Sequence, residues 1–299
     1  MSDPVWVFAS SSGAFAAWPR ALALPRVPLD LTREERPVVP VAAVPGDVLL
    51  AFTADGTAFP VHVGELPLVR TIVRGARPLA LQRGQTLAAL TQSRPEGAHL
   101  LLVTALGELK RCEARSLASV PPEGAPAYDV PEGDRLLAAV EHGPGDDAIL
   151  QSRAGKALRL QLDGIRTVKT ASAGGVAGMR LERQDDVVAA TRARDGELLL
   201  VLHRRGAGKA VPVADYPAKG RGTGGVVSAS VDTPKRSPAG PVHTAIAAPP
   251  DAEVLVVTSA GAAIRARPGA LEPSTRATVS RTAARTDAGH EVVGAVRVP

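Results

Sequence analysis

The sequence predicts an all-β fold, a six-bladed β-propeller, and three observations carry the prediction. A hairpin-like phrase recurs roughly every 50 residues, each copy turns at a glycine, and the flanking apolar runs show no sustained 3.6-residue periodicity. The six turn glycines are Gly13, Gly56, Gly107, Gly155, Gly206 and Gly261. Repeats of short strands with this period are typical of blades arranged around a central axis.

Each repeat is interpreted as three parts in a fixed order. A polar turn with an apolar run comes first, as at 45–53, 83–91 and 132–140. The glycine turn with its second apolar run follows, and a linker rich in Gly, Arg, Ser and Thr leads into a further strand, as at 174–182. Because aromatic residues make up only 3% of the chain, we expect a core of Val, Leu, Ile and Ala.

The two ends of the chain complement each other. The chain opens on a hairpin over 5–19 and ends on an apolar run over 288–298. We therefore expect the C-terminal strand to pair with the N-terminal hairpin and complete the sixth blade, which removes exposed strand edges. On this interpretation residues 1–299 form a single closed domain. Three prolines and two basic residues at 233–241 predict an exposed insertion there.

Composition narrows the function classes. Cys112 is the single cysteine, so no disulfide framework or cysteine metal cluster is expected, and we interpret it as a small structural residue. The six histidines are isolated from one another, which predicts no metal site. There is no apolar run near the roughly 20 residues that a membrane span requires and no signal-peptide pattern, so we expect a cytoplasmic protein.

Charge is spread unevenly along the chain, whose net charge is +5. Residues 1–133 carry 12 Lys and Arg against 13 Asp and Glu, whereas residues 134–299 carry 23 against 17. A chain with one basic half and one nearly neutral half is the pattern expected of a protein with a face that binds a polyanion. The competing interpretation is an ordinary soluble surface.

The densest basic stretch lies over 216–226. Lys219 and Arg221 are separated by glycines, which would let the backbone approach a phosphate with its N–H groups pointing outward. The alternative is a flexible connecting loop. Other linkers at the same repeat position are also basic, and this recurrence predicts an anion-binding rim. Their cations are Arg70, Arg74, Arg77, Arg166, Lys169, Arg276, Arg281 and Arg285.

The six-fold unit, the turns followed by Lys or Arg, and the phrase KGRGTGGV at 219–226 resemble the C-terminal domain of DNA gyrase A and of its topoisomerase IV counterpart, ParC. The phrase at 279–298 is similar to the linker, strand and turn of that family, and the resemblance covers essentially the whole chain. It implies a six-bladed β-pinwheel that binds and bends duplex DNA around a basic outer rim. It also implies a nucleoid location, no cofactor, and a partner that is a topoisomerase breakage core or an ATPase subunit.

Within this resemblance, the residues expected to contact DNA are Lys219, Arg221, Lys169, Arg166, Arg281 and Arg285. Gyrases of the family carry a box of the form Gln-basic-Arg-Gly-Gly-basic-Gly, which is needed for wrapping DNA with positive handedness. Its nearest match here is Lys219, Gly220, Arg221, Gly222, Thr223, Gly224 and Gly225, in the fifth hairpin unit. Lys replaces Gln, Gly stands second, and Thr–Gly stands where Gly and a basic residue belong. These departures favour a degenerate box or a topoisomerase IV-like role.

The family's catalytic parts have no counterpart in the sequence. Strand cleavage in the family needs a tyrosine beside an arginine, and the two tyrosines, Tyr128 and Tyr216, do not follow arginines. We expect both to be blade-packing or rim residues and the chain to carry no catalytic residue. Two other functions stay open: a propeller that serves as a protein-interaction platform, and a propeller hydrolase with acidic or histidine residues lining its axis.

Overall fold

The computed structural model of the chain describes residues 3–92, 98–169, 173–231, 240–276, 278, 280–286 and 290–299. Most of the predicted insertion at 233–241 lies outside the described residues. In chain order the strands are β1 (Val5–Ser10), β2 (Phe15–Pro19), β3 (Pro37–Ala43), β4 (Val48–Thr53), β5 (Thr57–His62), β6 (Leu87–Gln92), β7 (His99–Thr104), β8 (Glu108–Glu113), β9 (Ala125–Pro126), β10 (Leu136–His142), β11 (Asp147–Ser152), β12 (Lys156–Gln161), β13 (Val176–Ala177), β14 (Val187–Ala193), β15 (Leu198–His203), β16 (Ala207–Pro212), β17 (Val226–Val227), β18 (Val242–Ala248), β19 (Val254–Thr258), β20 (Ala263–Ala266), β21 (Arg281–Thr282) and β22 (Val292–Arg297).

The strands form six antiparallel sheets, which are blades I to VI in chain order. Each blade contains a hairpin and an inner strand that pairs with the first hairpin strand. The inner strands β3, β6, β10, β14, β18 and β22 follow one another around the axis, and β22 returns to β3. The predicted all-β, six-bladed fold is confirmed.

A single turn of 3₁₀ helix follows the second hairpin strand of five blades. It turns the chain away from the hairpin and toward the outside of the preceding blade. These turns span Val63–Glu65, Ala114–Leu117, Leu162–Gly164, Val213–Asp215 and Pro268–Ala270.

The hairpin glycines adopt the left-handed backbone conformation that favours glycine, with φ between 78° and 90° at all six predicted positions. In blades II to VI the carbonyl of the hairpin glycine also accepts N–H groups from the linker of the following unit. The carbonyl of Gly155, for example, accepts N–H groups from Ser228 at 2.8 Å and from Ala229 at 3.0 Å. An added Cβ at Gly155 would overlap the carbonyl oxygen of Ala229. Conformation and close approach therefore both require glycine.

The outer strands are exchanged between neighbouring units. The two-residue strands β9, β13, β17 and β21 pair with the second hairpin strand of one blade, although each follows the hairpin of the next blade in sequence. In blade IV, Val226 and Val227 of β17 pair with Ala157 and Lys156 of β12. Consecutive blades are thereby interlocked, and each outer edge is only two residues long.

The predicted closure is wrong. The C-terminal strand β22 pairs with β19 of its own blade, and the N-terminal hairpin takes β3 as its inner strand. The ring closes through the same exchange that links the other blades. Arg26 bridges to Ala262, the Val27 N–H donates to the Gly261 carbonyl at 2.6 Å, and the Ala263 N–H donates to the Pro25 carbonyl at 3.1 Å.

The closure was misassigned because the order within a unit was misread. The apolar run at 45–53 contains a first hairpin strand, β4, whereas the runs at 83–91 and 132–140 contain inner strands, β6 and β10. Both kinds of strand follow a polar turn, so the sequence interpretation merged them. The true unit is a hairpin, then a linker, then an inner strand.

The blades are also joined near the axis. The N–H at the start of one inner strand donates to a carbonyl in the hairpin turn of the preceding blade. The five bonds of this kind run from Leu87 to Ser11, Leu136 to Ala54, Val187 to Ala105, Val242 to Arg153 and Val292 to Arg204, at 2.8–3.0 Å. In blade I the equivalent position is Pro37, which pairs with Ser10. Since proline has no N–H, the junction of blades VI and I lacks this bond.

The core is aliphatic and lies between adjacent blades. At the junction of blades VI and I, Trp6 and Phe8 pack with Leu255 and Val257. Cys112 is buried, and burial raises the pKa of its thiol to about 11, in keeping with a structural residue. Tyr128 and Tyr216 are 1% and 0% exposed and lie in apolar clusters shared by adjacent blades, so of the two expected positions both take the blade-packing one.

Candidate nucleic-acid-binding rim

The outside of the disc is covered by six rim linkers, the segments between each hairpin and its inner strand. Those that cover blades I, III and IV first run parallel to the second hairpin strand, as Ala218 does beside Arg159, and each of the six forms the outer strand or bridge of its blade. In blade order I to VI, the described parts of the rim linkers are 67–76, 118–127, 166–169 with 173–177, 217–227, 272–276 with 278 and 280–282, and 20–27.

All six predicted DNA-contacting residues are exposed and lie on or beside rim linkers. Arg166 and Lys169 cover blade III, and Lys219 and Arg221 cover blade IV. Arg281 forms part of β21 on blade V, and Arg285 follows that strand. The predicted residues therefore occupy the outer edges of three consecutive blades. Arg70 and Arg74 are exposed on the rim linker of blade I.

Neighbouring rim linkers are hydrogen-bonded to one another. The Gly222 N–H donates to the Gly178 carbonyl at 2.5 Å, and the Arg180 N–H donates to the Thr223 carbonyl at 2.9 Å. The Arg276 guanidinium donates to the Val227 carbonyl at 3.2 Å. These bonds join the linkers of blades III, IV and V into a continuous band.

A shallow cavity opens between two of these linkers. It lies at the junction of blades IV and V, has a volume of about 380 Å³, and is lined by Asp215, Val227, Thr275 and Arg276. The basic band is therefore grooved at this junction and not smooth.

The box-like segment 219–225 is partly structural. An added Cβ at Gly225 would overlap the Ala157 carbonyl oxygen, whereas nothing lies within 4 Å of the same position on Gly220. Because the Gly222 N–H is bonded to Gly178, the expectation of outward-pointing backbone donors is wrong at that residue. The exposed Arg221 side chain and the Lys219 ammonium, which lies 3.4 Å from the Gly225 carbonyl, supply the positive charge of this loop.

Two buried lysines support the rim from inside. Lys110 and Lys209 are 1% and 2% exposed, and each stands three residues after its hairpin glycine. The Lys209 Nζ donates to the carbonyls of Arg276 at 2.5 Å, Thr278 at 2.9 Å and Thr275 at 3.3 Å, and burial lowers its pKa to about 8. Its ammonium therefore fixes the rim linker of blade V from below.

Lys110 does the same for two other linkers. Its Nζ donates to the carbonyls of Ala127 at 2.7 Å and Ala173 at 3.0 Å. Sequence analysis missed the role of both lysines. The signal was their shared position, three residues after the glycine, where the other four hairpins carry Ala, Phe, Leu or Ile.

Other cations of the disc are held by acidic partners. The Arg159 Nε donates to Asp147 at 2.6 Å and its Nη2 to Asp195 at 2.9 Å, which joins blades IV and V. Arg281 pairs with Glu272, but both side chains are 69% exposed. An exposed pair of this kind contributes about 0–1 kcal/mol, so a phosphate could replace Glu272 at small cost.

The axis of the disc holds an apolar channel of about 350 Å³, lined by Leu, Val and Ala of the inner strands together with Ser11, Arg36 and Thr244. Asp186 and Glu291 lie at one mouth. Asp186 is bonded to Arg153 at 2.8 Å, and a hydrogen bond from Arg204 lowers the pKa of Glu291. Both carboxylates are thus engaged in ion pairs.

In the described part of the chain, no three His, Cys, Asp or Glu side chains converge so as to hold a metal ion. None of its helices has the length and apolar character that crossing a bilayer requires.

Comparisons with known proteins agree on one kind of domain. A family model described as "DNA gyrase C-terminal domain, beta-propeller" matches residues 146–194, 204–233 and 252–299. The DNA gyrase A protein of Salmonella typhimurium is 29% identical over 259 residues, which are 84% of this chain and 29% of that protein. The chain therefore spans less than a third of the length of that relative.

Solved structures share the fold across the whole chain. A DNA gyrase A C-terminal domain superposes with a TM-score of 0.84 at 20% identity, covering 99% of this chain and all of that one. The C-terminal domain of a DNA topoisomerase IV superposes with a TM-score of 0.73 at 18% identity, covering 100% of this chain and 94% of that one.

Proposed function

Because the chain belongs to the family of DNA gyrase C-terminal domains, we propose that it binds duplex DNA along its basic rim and bends it, as a non-catalytic module of a type IIA topoisomerase. The observation that carries the proposal is the band of exposed cations on the hydrogen-bonded rim linkers of blades III, IV and V. The partner proteins would be a breakage core and an ATPase subunit, and the location the cytoplasm.

The interlocked ring suits this task because bending DNA needs a rigid curved support. Bending a duplex site through a large angle costs on the order of 1–6 kcal/mol, so several phosphate contacts have to hold it. Cations on successive blades supply such contacts along a curve. Each contact releases counterions, and a log–log dependence on salt with a slope of about −0.9 per contact is expected.

The binding is proposed to be independent of base sequence. The candidate cations lie on short linkers, and the helices in the described part of the chain are single 3₁₀ turns, too short to fill a major groove. Arg and Lys on such linkers suit phosphate contacts, which position DNA without reading bases.

The alternatives have less support. A hydrolase at the axis would need free acidic or histidine groups, whereas Asp186 and Glu291 at the channel mouth are paired with arginines. The Nδ1 atom of His243, which lines the same mouth, is hydrogen-bonded to the Val292 carbonyl at 2.9 Å. A protein-interaction platform does not account for the repeated exposed cations on three consecutive blades. The departures from the gyrase box at 219–225 support a topoisomerase IV-like role over gyrase-type wrapping.

A mobility-shift titration on a duplex of about 40 base pairs, repeated across salt concentrations, tests the proposal. The double variant Lys219→Ala with Arg221→Ala is expected to weaken binding by about tenfold and to reduce the salt slope by about 2, with an unchanged melting temperature. The control is Arg33→Ala with Arg83→Ala, which removes two exposed cations from loops that lead into inner strands. Absence of any shift at low salt would refute DNA binding.

A further inference from the structure

Blade II differs from the other blades in charge. Its hairpin region, 44–66, contains three acidic residues, and the segment 116–134, which contains its rim linker, contains four. Neither segment contains Lys or Arg. We call these two segments the acidic sector. Its acidic residues are Asp47, Asp55, Glu65, Glu123, Asp129, Glu132 and Asp134.

The fold brings both segments of the acidic sector to the same blade. Ala125 and Pro126 of β9 pair with Ala58 and Thr57 of β5. Farther along, the Tyr128 N–H donates to the Gly56 carbonyl at 3.1 Å. Of the acidic side chains, Glu65, Glu123, Asp129 and Glu132 are exposed. The outer edge of blade II is therefore negative where blades III, IV and V are positive.

The neighbours of blade II on both sides are basic. Blade III carries the exposed Arg166 and Lys169, and blade I carries the exposed Arg70 and Arg74. Around the rest of the ring, Lys219 and Arg221, then Arg281, and then the exposed Arg26 on blade VI continue the series. The cations thus form an arc over five blades, and its two ends meet at the acidic sector.

Duplex DNA carries one negative charge per about 1.7 Å of its axis, so a rim that attracts it on five blades repels it on the sixth. We propose that the acidic sector interrupts the DNA path, so that a bound duplex follows blades III, IV, V, VI and I and both of its arms leave the disc beside blade II. The inference rests on the proposed DNA binding and adds the extent and the ends of the bound segment.

The test places cations on blade II. Ser119→Lys with Glu123→Lys changes two exposed rim positions by three charges in total. The matched control, Gln82→Lys with Glu34→Lys, makes the same change at exposed positions in loops that lead into inner strands. The blade II variant is expected to protect a longer stretch of DNA from hydroxyl radicals and to steepen the salt slope by up to about 2. The control should leave the protected length unchanged.

A second measurement uses the unmodified charge pattern. Because Cys112 is buried, a cysteine introduced at Ser119 on blade II or at Ala218 on blade IV can carry an iron chelate that cleaves nearby DNA. Cleavage is expected from Ala218→Cys and not from Ser119→Cys. Equal cleavage from both, or an unchanged protected length in the lysine variant, would overturn the interrupted path while leaving DNA binding intact. Failure of the native chain to bind DNA would instead overturn both proposals.

Discussion

At the scale of single residues, the hairpin glycines are where sequence and fold are most tightly linked. Each needs a positive φ, and in blades II to V each also leaves room for a backbone carbonyl from the next unit. A side chain at these positions would strain the turn and push away the segment that interlocks two blades. Gly225 on the rim is constrained in the same way by the Ala157 carbonyl, whereas Gly220 has nothing within 4 Å of an added Cβ.

Gly155→Ala is expected to lower the free energy of unfolding by about 2 kcal/mol or more, because it combines a left-handed backbone with a steric overlap. Gly220→Ala, at a position with open space around it, should change stability by less than about 0.5 kcal/mol. Urea unfolding followed by circular dichroism measures both. Similar losses in the two variants would contradict the role given to the hairpin glycine.

Lys209 makes a second residue-scale prediction. Burial lowers its pKa in the folded chain to about 8 from an ordinary value of 10.5. Between these values the unfolded chain binds a proton that the folded chain has lost, so this residue's contribution makes stability rise with pH. From pH 7.5 to 9.5 the native chain should gain about 2 kcal/mol relative to Lys209→Met, as urea unfolding at both pH values would show. A constant difference between the two proteins would argue against the shift.

At the scale of elements, the rim linker is the part that sequence analysis described least well. Basic linkers at one repeat position were predicted, and the six cations named as DNA contacts are exposed on or beside those linkers. Arg276 is only partly exposed, and Arg77 bonds to Ser12 at the hairpin turn of blade I. The pairing of each outer strand with the preceding blade was not predicted, because outer strands such as Ala125–Pro126 and Val226–Val227 are only two residues long and show no alternation. The hairpins were predicted correctly since a glycine turn between apolar runs is a strong local signal.

The exposed cations of the candidate site could be predicted from the sequence, because charged side chains on glycine-rich linkers are normally exposed. Lys219 and Arg221 stand out in the sequence by their glycine neighbours, and both are exposed. The burial of Lys110 and Lys209 depends on linkers from distant parts of the chain, so no local sequence pattern predicts it. Likewise the acidic sector joins two segments that residues 67–115 separate in sequence, and only the fold brings them together.

The junction of blades VI and I should be the least stable of the six. Pro37 removes one hydrogen bond there, and the bridging segment 25–27 makes a single isolated pair, between Arg26 and Ala262 just before β20. Hydrogen exchange at the Val27 and Ala263 amides is therefore expected to be faster than at Ser228 and Ala229, which bond to Gly155. Equal hydrogen-exchange rates at both junctions would contradict the lower stability expected for the junction of blades VI and I.

At the scale of the whole molecule, two buried histidines and a half-buried one make the stability of the disc sensitive to acid. Burial lowers the pKa of His142, His203 and His243 below the ordinary value of 6.5. Because the unfolded chain binds these protons more readily, the stability that they contribute is present above pH 6.5 and is lost as pH falls below it.

We expect the free energy of unfolding to drop between pH 7.5 and 5 by as much as about 1 kcal/mol per histidine per pH unit. His142→Gln should flatten this dependence, and His62→Gln, at an exposed position, should not. Thermal unfolding at a series of pH values provides the measurement. A dependence that stays the same in His142→Gln would remove that residue from the explanation.

The pairing of the first rim linker with blade VI also determines when the ring can close during translation. Val27 docks on Gly261, so the first rim linker leaves the ribosome long before its partner has been made. At about 5–20 residues per second, the more than 200 residues between them take roughly 10 to 50 seconds to translate. During that interval blade I exists without its neighbour, and Trp6 and Phe8 have no Leu255 or Val257 to cover them. The nascent chain therefore exposes its largest aromatic side chains until the last blade has been synthesised. This exposed apolar surface is the part of the nascent chain that a chaperone would bind.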